Sequence, residues 1–145
     1  MHCSLRSVKP KAILRRAFDL VEAMRVLVVD DSPDAADSLA MLLQLWGHEV
    51  AVANDPDAAL EAARTRRPEV VLLDIGLPGI DGYELAARLR RQGLDTVFFV
   101  ALTGYGEDRD RRRALEAGFD SHLVKPVDPD VLQALLAQVQ SARNR

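Results

Sequence analysis

Five polar residues stand at the far ends of apolar runs in this chain. Asp30 and Asp31 follow Val26-Leu-Val-Val29, Asp74 follows Val70-Val-Leu-Leu73, Thr103 closes a run that includes Phe98 to Leu102, and Lys125 follows Leu123-Val124. Three carboxylates, a hydroxyl and an ammonium gathered together can serve a phosphoryl-transfer site. Carboxylates gathered at about 4 Å repel one another by roughly 1–4 kcal/mol per pair, depending on the effective dielectric, so the trio demands protons or a cation. Hard carboxylate oxygens suit Mg²⁺, which keeps several waters and often binds a substrate phosphate too. Lys125 supplies a second positive charge, Thr103 a hydroxyl hydrogen for a phosphoryl oxygen, and one carboxylate remains as nucleophile. A single aspartate at a strand end is more often a turn or cap residue. The conjunction carries the reading.

The elements that must bring these residues together follow from the apolar pattern. Residues 25–29, 49–53, 70–73, 96–103 and 121–125 read as strands, the third buried on both faces because nothing in it alternates. The second strand is weaker and belongs near an edge; it delivers no obvious functional group. Ser32-Pro33, Asp55-Pro56 and Asp128-Pro129 are cap-plus-proline helix starts. Ala36, Leu39, Leu43 and Trp46 give the first helix its apolar stripe, and Gly47 ends it. Ala59, Leu60 and Ala63 serve the second, Leu85 and Leu89 the third, and residues from Val131 to Val139 the fifth. The fourth, about 107–117, is short of apolar residues. Five alternations of strand and helix predict an α/β fold with right-handed crossovers, a doubly wound parallel sheet and helices on both faces. In such a sheet all carboxyl ends share one rim, where ligands bind.

The chain has 145 residues, enough for one domain with its own core. Residues 1–24 carry a net +3 and residues 25–145 a net −6, so we expect an N-terminal extension over 1–24 and a folded domain over 25–145. The extension has an amphipathic pattern from Pro10 onward, marginal as an isolated helix. It reads as a docking or dimerisation helix or, the expectation we adopt, as a tail or translated sequence upstream of a start at Met24. An acidic domain is a poor non-specific binder of nucleic acid. Cys3 is the only cysteine, and the longest aliphatic or aromatic run, Val97 to Leu102, is six residues, so neither an internal disulfide nor a membrane span is expected. The expectation is a cytoplasmic protein without membrane insertion.

Four motifs now carry a resemblance: Val28-Val-Asp-Asp-Ser32, Leu72-Leu-Asp-Ile-Gly-Leu-Pro-Gly-Ile-Asp-Gly82, Ala101-Leu-Thr-Gly104 and Val124-Lys-Pro126. In these the chain resembles the receiver domain of bacterial two-component response regulators, over about residues 25–142. The resemblance implies a flavodoxin-like strand order, 2-1-3-4-5. It implies that Asp74 accepts a phosphoryl group from a phosphohistidine on a sensor histidine kinase or histidine phosphotransfer protein. Asp31, Asp74 and the backbone carbonyl of Gly76 would hold Mg²⁺, with Asp30 acting largely through water. Lys125 would contact the phosphoryl group, Thr103 would move toward it, and the Lys125-Pro126 peptide would be cis. The family's downstream contacts run through the helix 4–strand 5–helix 5 face, and no output domain follows the last helix, so a stand-alone receiver acting through a partner is expected.

The chain also departs from the family. His122 stands where Phe or Tyr usually switches; an imidazole either swings inward in the same way or has no switching role. Gly76 and Tyr105 occupy positions that govern hydrolysis. Gly76 offers no side chain to position water and Tyr105 can shield the site or report its state, so slow self-hydrolysis is expected. Arg109, Arg111, Arg112 and Arg113 alternate with Glu107, Asp108 and Asp110, which reads as an ion-paired, solvated helix rather than a nucleic-acid patch. His48, beside Gly47, reads as a surface turn residue. Two alternatives remain: a small phosphatase with an aspartyl nucleophile, against which stands the adjacency of Asp30 and Asp31 where an Asp-x-Asp pair is wanted, and a receiver-like scaffold that is never phosphorylated. The chain is otherwise not expected to be an enzyme, beyond assisting its own phosphorylation and dephosphorylation.

Overall fold

A computed structural model describes residues 22–76, 81–94, 96–104 and 108–143, with the side chains of 108–111 and 143 outside the description. Strands and helices alternate: β1 (Arg25–Val29), α1 (Pro33–Leu45), β2 (Glu49–Ala53), α2 (Pro56–Arg66), β3 (Val70–Asp74), α3 (Gly82–Arg91), β4 (Phe98–Thr103), α4 (Asp108–Glu116), β5 (Ser121–Val124) and α5 (Pro129–Arg143). All five strands are parallel, in the order β2-β1-β3-β4-β5. The fold is therefore the expected flavodoxin-like one, with β2 at an edge. The N-terminal amphipathic segment lies outside the described residues up to position 21.

Period-two alternation in the strands splits the core into two layers. Leu27, Val29, Val71, Leu73 and Phe99 face α2, α3 and α4 through Ala59, Ala63, Leu85, Leu89 and Ala114. Val26, Val28, Val70, Leu72 and Val100 face α1 and α5 through Ala36, Leu43, Leu132, Leu136 and Val139. Both faces are thus covered, which is why the central strands carry no polar residue until they leave the sheet. Each fully buried Leu or Val contributes about 1.5–3 kcal/mol of transfer free energy.

The helix starts behave as the sequence predicts. Ser32 Oγ accepts from Ala35 N at 3.4 Å, and Asp55 Oδ1 from Ala58 N at 2.7 Å. Asp81 caps α3, its Oδ1 accepting from Tyr83 N at 2.8 Å. Three strand boundaries shift, the first being the end of β3, which takes in Asp74 rather than stopping at residue 73. β4 begins at Phe98 rather than Thr96, because Val97 N is taken by a turn to Leu94 O at 3.3 Å. β5 ends at Val124, one residue before Lys125.

The expectation for His48 needs correction. α1 closes with Gly47 N donating to Gln44 O at 2.9 Å and His48 N to Leu43 O at 3.1 Å, with Gly47 at φ +95°. This is a Schellman ending, and the left-handed glycine turns the chain sharply. His48 is thereby folded inward, 6% exposed, and its Nδ1 accepts from Met24 N at 3.0 Å. The imidazole braces the residue that leads into β1.

Candidate functional site

Strand register alone assembles the rim. Val29 pairs with Leu73, so Asp30 and Asp74, one residue on, emerge side by side. Asp74 pairs with Leu102, and Thr103 pairs with Val124, so Thr103 and Lys125 follow in the same row. Lys125 N donates to Thr103 O at 2.7 Å, fixing that end of β4 against the chain leaving β5. The Lys125-Pro126 peptide is cis, as expected.

Asp30 is the most immobilised of these groups. It is 2% exposed, and both carboxylate oxygens are engaged: Oδ1 accepts from Ser32 N at 2.9 Å and Oδ2 from Lys125 Nζ at 2.7 Å. Its backbone is held as well, since Asp30 N donates to Ala53 O at 3.1 Å and Asn54 Nδ2 donates to Asp30 O at 2.9 Å. β2 therefore does contribute, through Asn54, where the sequence had suggested nothing. Asp31 is exposed.

Asp74 lies between two donors. Gly76 N reaches its Oδ1 at 2.9 Å and Lys125 Nζ its Oδ2 at 3.3 Å. Burial pushes the Asp74 carboxyl above its ordinary 3.8; the Gly76 amide and Lys125 pull it back, the Asp30 charge adds to the rise, and the net direction is upward. Burial pulls the Lys125 ammonium down, but the hydrogen bond to Asp30 and the charges of Asp74 and Asp30 outweigh it, so Lys125 titrates above its ordinary 10.5. Lys125 is thus a fixed cation shared by two carboxylates from neighbouring strands.

The turn after Asp74 depends on Gly82. A Cβ there would meet Ile75 Cα at 2.5 Å and Asp74 O at 3.2 Å, both backbone atoms. Only glycine lets the first turn of α3 press against the residue following Asp74. Gly76 is different: a Cβ would sit 3.5 Å from Asp74 Oδ1, an ordinary contact.

One carboxylate oxygen each from Asp30, Asp31 and Asp74 lies within 4.8 Å of the others. Three hard oxygen donors so gathered fit a divalent cation with its own waters. A cavity of about 490 Å³ opens above Asp74, lined also by Thr103, Lys125, Asp81, Tyr83 and Arg113. Thr103 is 1% exposed, and its Oγ1 donates to Leu123 O at 3.5 Å.

The other expected site residues divide. His122 is half-buried in β5 opposite Ala101 and does not line the cavity. Tyr105 lies outside the described residues, as do the side chains of Arg109 and Arg111. Arg113 does not follow the reading of pairs within its own helix. Its Nη2 donates to Asp81 Oδ2 on α3 at 3.1 Å, and its guanidinium carbon sits 4.5 Å from the Tyr83 ring centroid. Asp81 and Tyr83, to which the sequence alone assigns no role, line the same cavity. The cap motif at Asp81-Gly82 was a usable signal; nothing local announced Arg113.

Comparison with known proteins agrees with this geometry. Residues 26–137 match the response regulator receiver domain family. The chain is 40% identical over 117 residues to an uncharacterized 14.6 kDa protein of Leptolyngbya boryana, covering 79% of this chain and 88% of that one. It is 42% identical over 125 residues to the transcriptional regulatory protein PrrA of Mycobacterium tuberculosis, covering 86% of this chain and 52% of PrrA, so it spans about half the length of that relative. Among solved structures, the BeF3-activated N-terminal receiver domain of Klebsiella pneumoniae RstA aligns with a TM-score of 0.73 and 33% identity, over 80% of this chain and 97% of that one. The strand order, the acidic rim and these matches agree: the chain belongs to the receiver domain family of two-component response regulators, the phosphoacceptor modules of that signalling system.

Proposed function

We propose that Asp74 is the phosphoacceptor and that Asp30, Asp31, Thr103 and Lys125 serve its reaction. The observation that carries this is Lys125 Nζ bridging Asp30 and Asp74 at a rim where carboxylate oxygens of Asp30, Asp31 and Asp74 approach within 4.8 Å. An Asp74 oxygen forms the bond to phosphorus while the P–N bond of a partner's phosphohistidine breaks, its electron pair staying on the imidazole nitrogen. Lys125 neutralises charge on the transferred group, and Thr103 donates to one of its oxygens. Asp31, Asp74 and the Gly76 carbonyl are the ligands we assign to Mg²⁺. Asp30, with both oxygens already engaged, suits an indirect role through water. The metal, when bound, offsets negative charge on the phosphoryl group and the carboxylates.

On this reading the domain, residues 25–145, assists its own phosphorylation and dephosphorylation and is otherwise not an enzyme. Its donor is a histidine kinase or histidine phosphotransfer protein, and its output is a protein met through the α4–β5–α5 face, with Thr103 as the switch. A cytoplasmic location goes with such a donor; among the described residues no helix is long and apolar enough to cross a membrane. The beryllofluoride activation of the RstA receiver supports the use of the same mimic here.

Incubation with Mg²⁺ and acetyl phosphate, followed by intact mass and by assay on phosphomonoesters, tests the proposal. A covalent phosphoryl adduct without turnover of phosphomonoesters is expected. Steady turnover would instead make the protein a phosphatase, and absence of any adduct would make it a scaffold.

A further inference from the structure

α4 contributes a cation to the cavity above Asp74 that phosphoryl transfer by Asp74, Thr103 and Lys125 leaves unused. The Arg113 guanidinium is held by Asp81 at 3.1 Å and lies over the Tyr83 ring at 4.5 Å, and all three residues line the same cavity as Asp74 and Lys125. Tyr83 is itself fixed, edge-on to Phe119 at 5.8 Å. The ion pair is open to solvent, with Arg113 62% and Asp81 44% exposed, so water screens it and little holds it closed. A phosphoryl group in this cavity presents several anionic oxygens to a planar fork of donors, and such a partner outbids a solvated carboxylate. The Tyr83 face keeps the guanidinium oriented while its partner changes.

We propose that Arg113 exchanges Asp81 for the phosphoryl group on Asp74, a contact that draws α4 toward the site only in the phosphorylated state. The inference rests on Asp74 being the phosphoacceptor. Asp81 is then an antagonist: by occupying Arg113 it weakens the phosphorylated state, while Arg113 strengthens it. The two members of one ion pair acquire opposite effects on the same equilibrium, which a pair that merely braces α3 against α4 would not have.

The test is the affinity of the full chain for beryllofluoride at saturating Mg²⁺, by calorimetry, with thermal melts as a control for folding. Arg113→Gln removes the charge and keeps most of the stem. Asp81→Asn removes the charge and keeps the oxygen that caps α3 through Tyr83 N. Arg113→Gln should weaken binding about tenfold, as expected for loss of a charge-assisted contact. Asp81→Asn should tighten it roughly two- to threefold, as expected for release from a screened pair. The double variant should behave as Arg113→Gln. Shifts in the same direction for both single variants, or no shift in Arg113→Gln, overturn the proposal while leaving Asp74 as acceptor. No binding by the wild type would instead overturn the phosphoacceptor reading, and this inference with it.

Discussion

Replacing Lys125 with Met would expose what the lysine does before any phosphoryl group arrives. Met keeps most of the apolar stem and removes the ammonium. Asp30, 3% exposed at its side chain, would lose its 2.7 Å partner, and Asp74 its 3.3 Å one. Carboxylate oxygens within 4.8 Å of one another would then repel by about 1 kcal/mol per pair in water-like surroundings and about 3.5 kcal/mol at an effective dielectric of 20. Breaking a buried ion pair from one side costs about 3–5 kcal/mol. Lys125 is itself 29% exposed, which screens part of this and favours the lower end. We expect the metal-free variant to lose about 3 kcal/mol, or roughly 10 °C in Tm. The sign with pH follows from Lys125 titrating above its ordinary 10.5 in the folded state. Its contribution is lost as pH rises through the folded pKa, so wild type and variant should converge at alkaline pH, and again in acid once the partner carboxylates protonate. Mg²⁺ should stabilise the variant more than the wild type, since a competing cation is gone. Thermal melts by circular dichroism, with chelator and with Mg²⁺, read all of this. A loss below about 0.5 kcal/mol in chelator, or a smaller Mg²⁺ effect in the variant, would refute the shared-cation account.

Gly82→Ala should cost about 2–4 kcal/mol, because its Cβ meets the Ile75 backbone at 2.5 Å, and should slow Asp74 modification by displacing its turn; melts and adduct rates check both. Asp74→Asn should be more stable than wild type without metal at neutral pH. The raised Asp74 pKa gives a contribution fully present below its unfolded value and lost as pH rises through the folded one, so the gap should close as pH falls through the carboxylate range. Melts across pH that show the gap widening in acid would contradict this. His48→Ala should cost about 1–2 kcal/mol and speed hydrogen exchange at the Met24 amide, which donates to Nδ1 at 3.0 Å.

The fold was legible because its signals are local and repeat: apolar runs ending in a polar residue, then a cap and a proline, as at Ser32-Pro33 and Asp55-Pro56. The rim was legible for the same reason, since parallel strands deliver their last residues to one edge whatever their partners. What escaped depended on pairs distant in sequence. His48 follows a glycine turn that suggests the surface, yet Met24, 24 residues earlier, draws it in. Asn54 acts on the Asp30 backbone across a strand pair. Arg113 sits in a charge-rich helix whose composition suggests pairs at neighbouring turns, whereas its partner Asp81 is 32 residues away. Composition identifies such charges but not which of several carboxylates they meet.

The function of this rim rests on the chemistry of Asp74. Wild type and Asp74→Asn, treated with acetyl phosphate with and without Mg²⁺ and mapped by peptide mass spectrometry, provide the direct measurement. We predict one phosphoryl group on the peptide carrying Asp74, dependent on Mg²⁺ and absent from Asp74→Asn. A modification that persists in Asp74→Asn, or that maps to Asp30 or Asp31 in the wild type, would contradict it.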